Sequence, residues 1–523
     1  MATPQEKLAD SLEVLEALQK RGLVAVRSSD LSRTHRERLL KGGFLQEVMK
    51  GWYIPSGPDE ARGESTAWYA SFWEFCAAYL TVRFKENWSL SPEQSLFIHT
   101  GNRAVPRQLL VRSARARNKV TALAHDTSLL EIRAPLPPQG QEQTVDGLRL
   151  FSLPAALVTT GPALFTQNVV EARTALAMVR DASDVLSVLL SGGHSVVAGR
   201  LAGAFRNIGR DKIAAEILQT MRAAGYDVRE SDPFESPAPF THAPRTLSPY
   251  VVRMGFSWAQ MRDAVVDSFP KAPGLPKDKA GYLKTVDEIY VEDAYHSLSI
   301  EGYRVSRELI ERVRTRAWNP DGDAADRQQK DAMAARGYYE AFQVVKASVG
   351  SVLDGENAGH VFDRDHSAWY RALFAPSVNA GILAPADLAG YRGGQVYIRR
   401  SKHVPPNFDA VRDLMPALSE SLTEENDPGV RAVLGHFMFV YIHPYMDGNG
   451  RMGRFLLNVM LASGGYPWTV IPVGQRDEYM NALEAASVGQ NIRPFAQFVG
   501  GLVRARMTGV PTKAEAVLPR AAQ

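Results

Sequence analysis

Cysteine is almost missing from this chain. A single Cys76 stands in 523 residues, which excludes an intrachain disulfide. It sits in YASFWEFCAAYL, an aromatic run that reads as a buried helix, so a structural thiol is expected there. Net charge is scarce as well: +3 over this length says little about partners and moves the search to local clusters. No apolar run approaches the length of a membrane-spanning helix, and MATPQEKLADSLEV lacks a basic start followed by an apolar stretch. The expectation is a cytoplasmic protein with no membrane partner. What remains is ordinary globular composition, 45% apolar and 22% charged with a mean hydropathy of −0.20, in a chain long enough for two or three cores.

Prolines gather at 232–249, DPFESPAPFTHAPRTLSP, and interrupt the apolar periodicity, so an interdomain linker is expected there. Downstream, amphipathic helix patterns dominate; upstream, helices mix with short strand-like runs such as LVAVRS and LLEIRAPL. The glycine-rich SGGHSVVAGRLAGAFRNIGR lacks the Lys-Ser/Thr ending of a P-loop, and helix packing is its expected use. The role of 61–231 stays open, and 506–523 reads as a flexible tail.

The first sixty residues have a plan of their own. Leu8, Leu12, Leu15 and Leu18 recur at helical spacing, SSDLSRTHRERLLKGG supplies a second helix, and FLQEVMKGWYIP alternates around Lys50-Gly51 like a hairpin. That order suits a winged helix over 1–60. Arg33, Arg36, Arg38 and Lys41 gather with His35 on the second helix, and from Lys20 to Lys50 there are eight basic residues against three acidic ones. The excess suits contacts to DNA phosphates, which position without specifying sequence; a solvated basic face is the alternative. Through GFLQEVMKGWYIPSG the segment resembles the winged-helix start of abortive-infection-type antitoxins and related transcriptional regulators.

The chemistry concentrates in PGVRAVLGHFMFVYIHPYMDGNGRMGRFLLNVMLASGGYP. Val430, Val433, Leu434, Phe437, Val440 and Tyr441 keep a helical period, glycines break it, and a second apolar helix runs from about Arg451 to Gly464-Gly465. Gly448, Asn449 and Gly450 can turn successive N–H groups inward as an anion nest at a helix N-terminus. Arg451 and Arg454 stand three apart at that helix start, so both guanidinium groups can grip phosphate oxygens. Asp447 is a hard oxygen donor suited to a Mg²⁺ ion shared with a polyphosphate. The neutral imidazole of His443 can accept a hydroxyl proton at cellular pH. A zinc pair of His436 and His443 fails on distance, because seven helical residues separate them by roughly 10.5 Å.

His443 to Arg454 matches the Fic family motif: His, Pro, aromatic, any residue, an acid, then Gly-Asn-Gly-Arg, two residues, and Arg. The resemblance spans roughly 280–505. It implies an all-α Fic domain over 250–505 with a β-hairpin flap, so the expected fold class is mainly α, with a winged helix and an α/β region ahead of it. It further implies a protein adenylyltransferase, with a target-protein hydroxyl attacking the α-phosphate of ATP and Mg²⁺ as cofactor. His443 would be the base, Asp447 the metal ligand, Asn449 an α-phosphate contact, and Arg451 and Arg454 the clamps on the outer phosphates.

Upstream, in LKTVDEIYVEDAYHSLSIEG, Val286, Tyr290, Ala294, Ser297 and Glu301 fall on one helical stripe with Leu283. A carboxylate on a buried stripe must find a partner, and arginine is the usual one. If that arginine is Arg454, the pair would stand where the γ-phosphate belongs. Ser297 to Gly302 resembles the family's inhibitory motif, a Ser or Thr, three residues, Glu, then Gly or Asn, here on a helix at about 283–301. GYRGGQVYIRRSKHVPPNF resembles the family's target-docking flap, with Val396, Tyr397 and Ile398 on one candidate strand and His403 on the other. IPVGQRDEYMNALEAASVGQ resembles the adenine-side helix, with Tyr479 at the aromatic position, Ser487 where Asn is frequent and Met480 where a second Tyr can stand.

Two functions remain in view. One is a regulated adenylyltransferase restrained by Glu301, whose partner is a target protein with a hydroxyl side chain. The other is a DNA-binding regulator or antitoxin-like protein that uses the Fic unit for nucleotide sensing, automodification or AMP removal. Homo-oligomerisation is left open.

Overall fold

Thr3 caps the first helix, α1 (Pro4–Lys20). The Thr3 side chain accepts from the Glu6 N–H while the Glu6 carboxylate accepts from Thr3, a reciprocal capping box. Strand β1 (Val26–Arg27) leads to α2 (Arg33–Lys41), capped by the Ser32 hydroxyl. Strands β2 (Leu45–Met49) and β3 (Trp52–Pro55) then pair antiparallel, turning at Lys50-Gly51 with Gly51 in the left-handed region. The strand order is β1-β3-β2. Leu15, Leu18, Val26, Leu39, Leu45 and Tyr53 share one apolar cluster under these elements, which is why the leucine spacing of α1 was legible.

The structure, a computed structural model, describes residues 3–58, 65–239, 248–315 and 330–509. The chain divides into two compact units, Met1–Phe256 with Tyr397–Val404, and Ser257–Val396 with Pro405–Gln523. In the first, strands β4 (Ser89–Leu90), β5 (Gln108–Ser113), β6 (Lys119–Ala122) and β7 (Ser128–Arg133) form a sheet of order β4-β5-β7-β6, with β5 and β7 parallel. A further hairpin joins β8 (Glu142–Val145) to β9 (Leu148–Phe151). Leu109, Val111 and Leu129 from the sheet cluster with Trp68, Phe72, Phe75 and Cys76 of the aromatic helix Thr66–Phe84. Cys76 is fully buried and burial pushes its thiol up, as expected of a structural cysteine.

The glycine-rich segment, 191–210, begins at the end of the helix Ala182–Gly192 and forms the helix Ser195–Asn207. A Cβ on Gly199 would lie 1.9 Å from the Arg229 carbonyl oxygen, so close backbone packing explains that glycine. Of the expected linker, 240–247 lies outside the described residues. The part before it packs onto the first unit: Phe234 joins the helical core and Arg173 donates to the Ser236 carbonyl at 2.7 Å. Of the expected tail, 510–523 also lies outside the described residues.

All described strands precede residue 152, so the second unit is helical among the described residues. The elements that matter for the site are α3 (Lys279–Ile300), α4 (Lys330–Leu353), α5 (Ala358–Asn379), α6 (Pro428–Ile442), α7 (Asn449–Ala462) and α8 (Arg476–Gly489). Helix α7 is buried around its circumference: every residue from Arg451 to Ala462 is buried, the polar Arg451, Arg454 and Asn458 included, the behaviour of a helix that runs through a core. Among the described residues, no helix is long and apolar enough to cross a membrane.

The β-hairpin flap expected around 396–406 is not formed. The described backbone there carries no strand, because its polar groups are spent elsewhere. Within the first unit the Val105 N–H donates to the Lys402 carbonyl at 2.8 Å, and the Arg400 N–H donates to the Thr66 hydroxyl at 3.1 Å.

Candidate active site

Helix α6 ends at His443, whose backbone takes the left-handed conformation, φ 52° and ψ 60°. That conformation is uncommon outside glycine, and it gives a sharp exit that returns the chain within six residues to the start of α7. Tyr445 anchors the turn: it is buried and stacks on Tyr370 of α5 with centroids 3.9 Å apart. Gly448 precedes α7 at φ 82°, and a Cβ there would sit 2.7 Å from the Phe374 ring. Glycine is thus required by both conformation and space.

The His443 imidazole is oriented. Its Nδ1 lies 3.2 Å from the Val440 carbonyl oxygen, an acceptor only, so Nδ1 carries the proton and Nε2 keeps its lone pair. Burial presses its pKa down to about 4, with Arg392 acting the same way and the Val440 carbonyl, Glu301 and Asp447 opposing. The ring is therefore neutral at cellular pH.

Arg454 is 4% exposed and held from α3. Its Nε donates to the Ser297 hydroxyl at 2.9 Å, and Nη2 donates to the Ser297 carbonyl at 3.0 Å and to Glu301 Oε1 at 2.7 Å. Burial alone would raise the Glu301 carboxyl, but the Arg454 and Arg451 guanidinium groups hold it below the usual carboxylate range. A Cβ on Gly450 would lie 2.2 Å from Glu301 Oε1 and 3.2 Å from Arg454 Nη1. The Glu301 carboxylate therefore lies over Gly450 at the N-terminus of α7. Arg454 Nη1 is buried without a hydrogen-bond partner, and an orphaned charged donor of this kind is costly unless an anion takes it up.

Arg451 is 1% exposed. It lies between the rings of Tyr303 and Phe374, 5.1 and 4.9 Å from their centroids, and donates to Asp447 Oδ2 at 3.1 Å. The other Asp447 oxygen accepts from the Gly448 N–H at 2.6 Å. This carboxylate is 66% exposed at the mouth of the loop. One hard oxygen donor facing solvent beside an anion nest fits a Mg²⁺ whose remaining ligands are phosphate oxygens and water.

Some sequence expectations need correction. Asn449 does not offer its side chain to a phosphate: Oδ1 accepts from the Tyr445 N–H at 2.9 Å and Nδ2 donates to the Tyr445 carbonyl at 2.8 Å, so the amide ties the loop shut. Tyr479 is 2% exposed, with its hydroxyl 2.8 Å from His436 Nε2 and its ring against Phe495 and Phe498. The phase of α8 turns Tyr479 inward with Ala482 and Ala486, leaving Met480 and Ser487 half-buried. Of the flap residues, Val396 and His403 are buried, while Tyr397 stays 38% exposed and Ile398 does not pair in a strand. On α2, Arg33 is exposed and paired with Glu37, and Lys41 is exposed. Arg36 donates to the Ser28 carbonyl and Arg38 to the Lys7 carbonyl, so both also serve the local fold.

Sequence reasoning missed Arg392. This buried side chain donates through Nε to the His443 carbonyl at 2.8 Å. The only local signal was an arginine set among glycines in GYRGG.

Comparison with known proteins bears on the same segment. Residues 367–461 match the Fic/DOC family. The chain is similar to proteins named protein adenylyltransferase Fic from Drosophila yakuba and Drosophila melanogaster, each 30% identical over 216 residues, 40% of this chain and 40% of theirs. It thus spans about 40% of the length of these curated relatives. Among solved structures, Fic-1 from C. elegans aligns with 65% of this chain and 91% of that one at 20% identity and a TM-score of 0.37. A Fic family protein from Desulfovibrio desulfuricans aligns with 53% and 80% at 21% identity and a TM-score of 0.33. The matched stretch takes in the His443 to Arg454 turn between α6 and α7, so the part of this chain that is similar to the Fic/DOC family carries the site described above.

Proposed function

We propose that this protein is an adenylyltransferase that moves AMP from ATP to a hydroxyl side chain of a target protein and is restrained by its own Glu301. The observation that carries the reading is the Glu301–Arg454 contact of 2.7 Å laid over Gly450, beside a neutral histidine. His443 Nε2 takes the proton of the attacking hydroxyl. The new bond forms between that oxygen and the α-phosphorus while the bond to the bridging oxygen breaks and pyrophosphate leaves. The N-terminal N–H groups of α7 and the cationic side chains of Arg451 and Arg454 stabilise the phosphate charge, so catalysis is positioning and electrostatics. Mg²⁺, held by Asp447 with the phosphates, would neutralise the leaving group. With Glu301 in place, a phosphate must displace its carboxylate to reach Arg454, which restrains the resting state.

A second reading concerns 1–60. The order helix, strand, helix, hairpin and the exposed Arg33 and Lys41 on α2 support a winged helix that contacts DNA phosphates, which would make the protein a regulator as well. A homo-oligomer is compatible with either role.

The deciding experiment incubates wild type, Glu301→Gly and the Glu301→Gly, His443→Ala double variant with α-labelled ATP and Mg²⁺, with and without lysate. Label on protein in the single variant that disappears in the double variant supports both roles. No label above the double variant in any arm would overturn the reading.

A further inference from the structure

Arg392 is 1% exposed, and among the described residues its side-chain hydrogen bonds go to backbone carbonyls rather than to a carboxylate. A guanidinium buried without a counter-ion is expensive unless its donors are taken, and here backbone carbonyls take them. Nε donates to His443 at 2.8 Å, Nη1 to Gly394 at 2.9 Å, and Nη2 to Pro406 and, at 3.4 Å, to Ile442. The Arg392 backbone N–H donates to the Pro444 carbonyl at 2.9 Å. Three successive carbonyls, those of Ile442, His443 and Pro444, therefore end on one residue. The carbonyls at a helix C-terminus lack intrahelical partners and carry the negative end of the helix dipole, so a cation suits the end of α6 electrostatically as well as geometrically.

We propose that Arg392 is the positioning residue of this site: by fastening the carbonyls on either side of His443 it holds the left-handed backbone from which the imidazole projects. His443 sits at φ 52°, a conformation that a non-glycine residue leaves when the surroundings do not hold it. Burial of Arg392 drives its own pKa down to about 10. The inference rests on His443 being the base.

The test is run in the Glu301→Gly background, where transfer is measurable, with Arg392→Lys and Arg392→Met. Misplacing a reacting group by about 1 Å costs on the order of 100-fold, so Arg392→Met should lower kcat about 10- to 100-fold with KM for ATP nearly unchanged. Added guanidinium ion should restore part of the loss, and Arg392→Lys should fall between. The groups facing His443 are Arg392, Glu301, Asp447 and the Val440 carbonyl. Removing the Arg392 charge should therefore move the acid limb of the pH–rate profile upward in the Met variant and not in the Lys variant. An unchanged kcat in Arg392→Met overturns the inference, as does a loss shared equally by kcat and ATP affinity that guanidinium does not restore. Should the Met variant fail to fold, the Lys variant decides, and unchanged kcat there overturns it. Absence of transfer in the Glu301→Gly parent would sink the reading of His443 itself, a result distinct from an active parent indifferent to Arg392.

Discussion

Replacing Glu301 by glycine tests the site most directly. Its carboxylate makes one charge-assisted hydrogen bond to Arg454 at 2.7 Å, with Arg454 5% and Glu301 28% exposed in their side chains. Bonds to charged groups contribute roughly 1.5–3 kcal/mol, and the partial exposure of Glu301 favours the lower part, about 2 kcal/mol. A phosphate that must displace the carboxylate loses that amount, and at 1.4 kcal/mol per tenfold this is about 30-fold in nucleotide affinity. Glu301→Gly should therefore bind a non-hydrolysable ATP analogue about 30-fold more tightly by calorimetry, and should label itself or lysate proteins where wild type does not. Glu301→Gln, which keeps the shape without the charge, should fall between. Equal affinity in wild type and Glu301→Gly would refute the claim that this carboxylate occupies phosphate ground.

Other expectations follow from the same geometry. With the His443 pKa pressed to about 4, kcat of any transfer by the Glu301→Gly variant should stay flat from about pH 6 to 8, because the ring is already neutral; a limb near 6.5 in a pH–rate profile would show an unperturbed imidazole. That depressed value also links folding to pH. The unfolded ring binds its proton near pH 6.5, so the stability from the neutral ring is present above that value and is lost as pH falls toward 4; urea titrations at pH 7 and 5 would measure it. The Glu301 contribution has its own window: its lowered carboxyl stabilises above the usual carboxylate range and is lost as pH falls through the folded value. Gly199→Ala should lower stability by about 1–3 kcal/mol through overpacking, since its Cβ would sit 1.9 Å from a carbonyl oxygen; an unchanged Tm would contradict this. If 1–60 binds DNA, Arg33→Ala and Lys41→Ala should each reduce the slope of log affinity against log salt by about 1 in fluorescence anisotropy, while Arg36 and Arg38 variants should also lose thermal stability.

The helix, turn and helix around His443 to Arg454 were legible because their parts are contiguous. A histidine, a glycine turn and two arginines one turn apart must come together whenever the flanking residues form helices. Glu301 was legible for a related reason, since a carboxylate on an apolar helical stripe needs a cation, and Arg454 supplies it 153 residues away. The flap was misjudged because alternation in GGQVYIRRSKHVPP suits a hairpin locally, yet the Lys402 carbonyl and Arg400 N–H bond to Val105 and Thr66.

By itself the sequence determined the periodic helices, the aromatic core around Cys76 and the order of groups from His443 to Arg454, because each is fixed by local conformation or by neighbours within a few turns. The tertiary structure alone decided which polar groups were already satisfied. Asn449 is closed on Tyr445, Tyr479 is turned into the core, and Arg392 is bound to the carbonyls of the histidine turn. A side chain's freedom to act depends on the partners that folding brings to it from distant parts of the chain, and these leave no mark in local spacing.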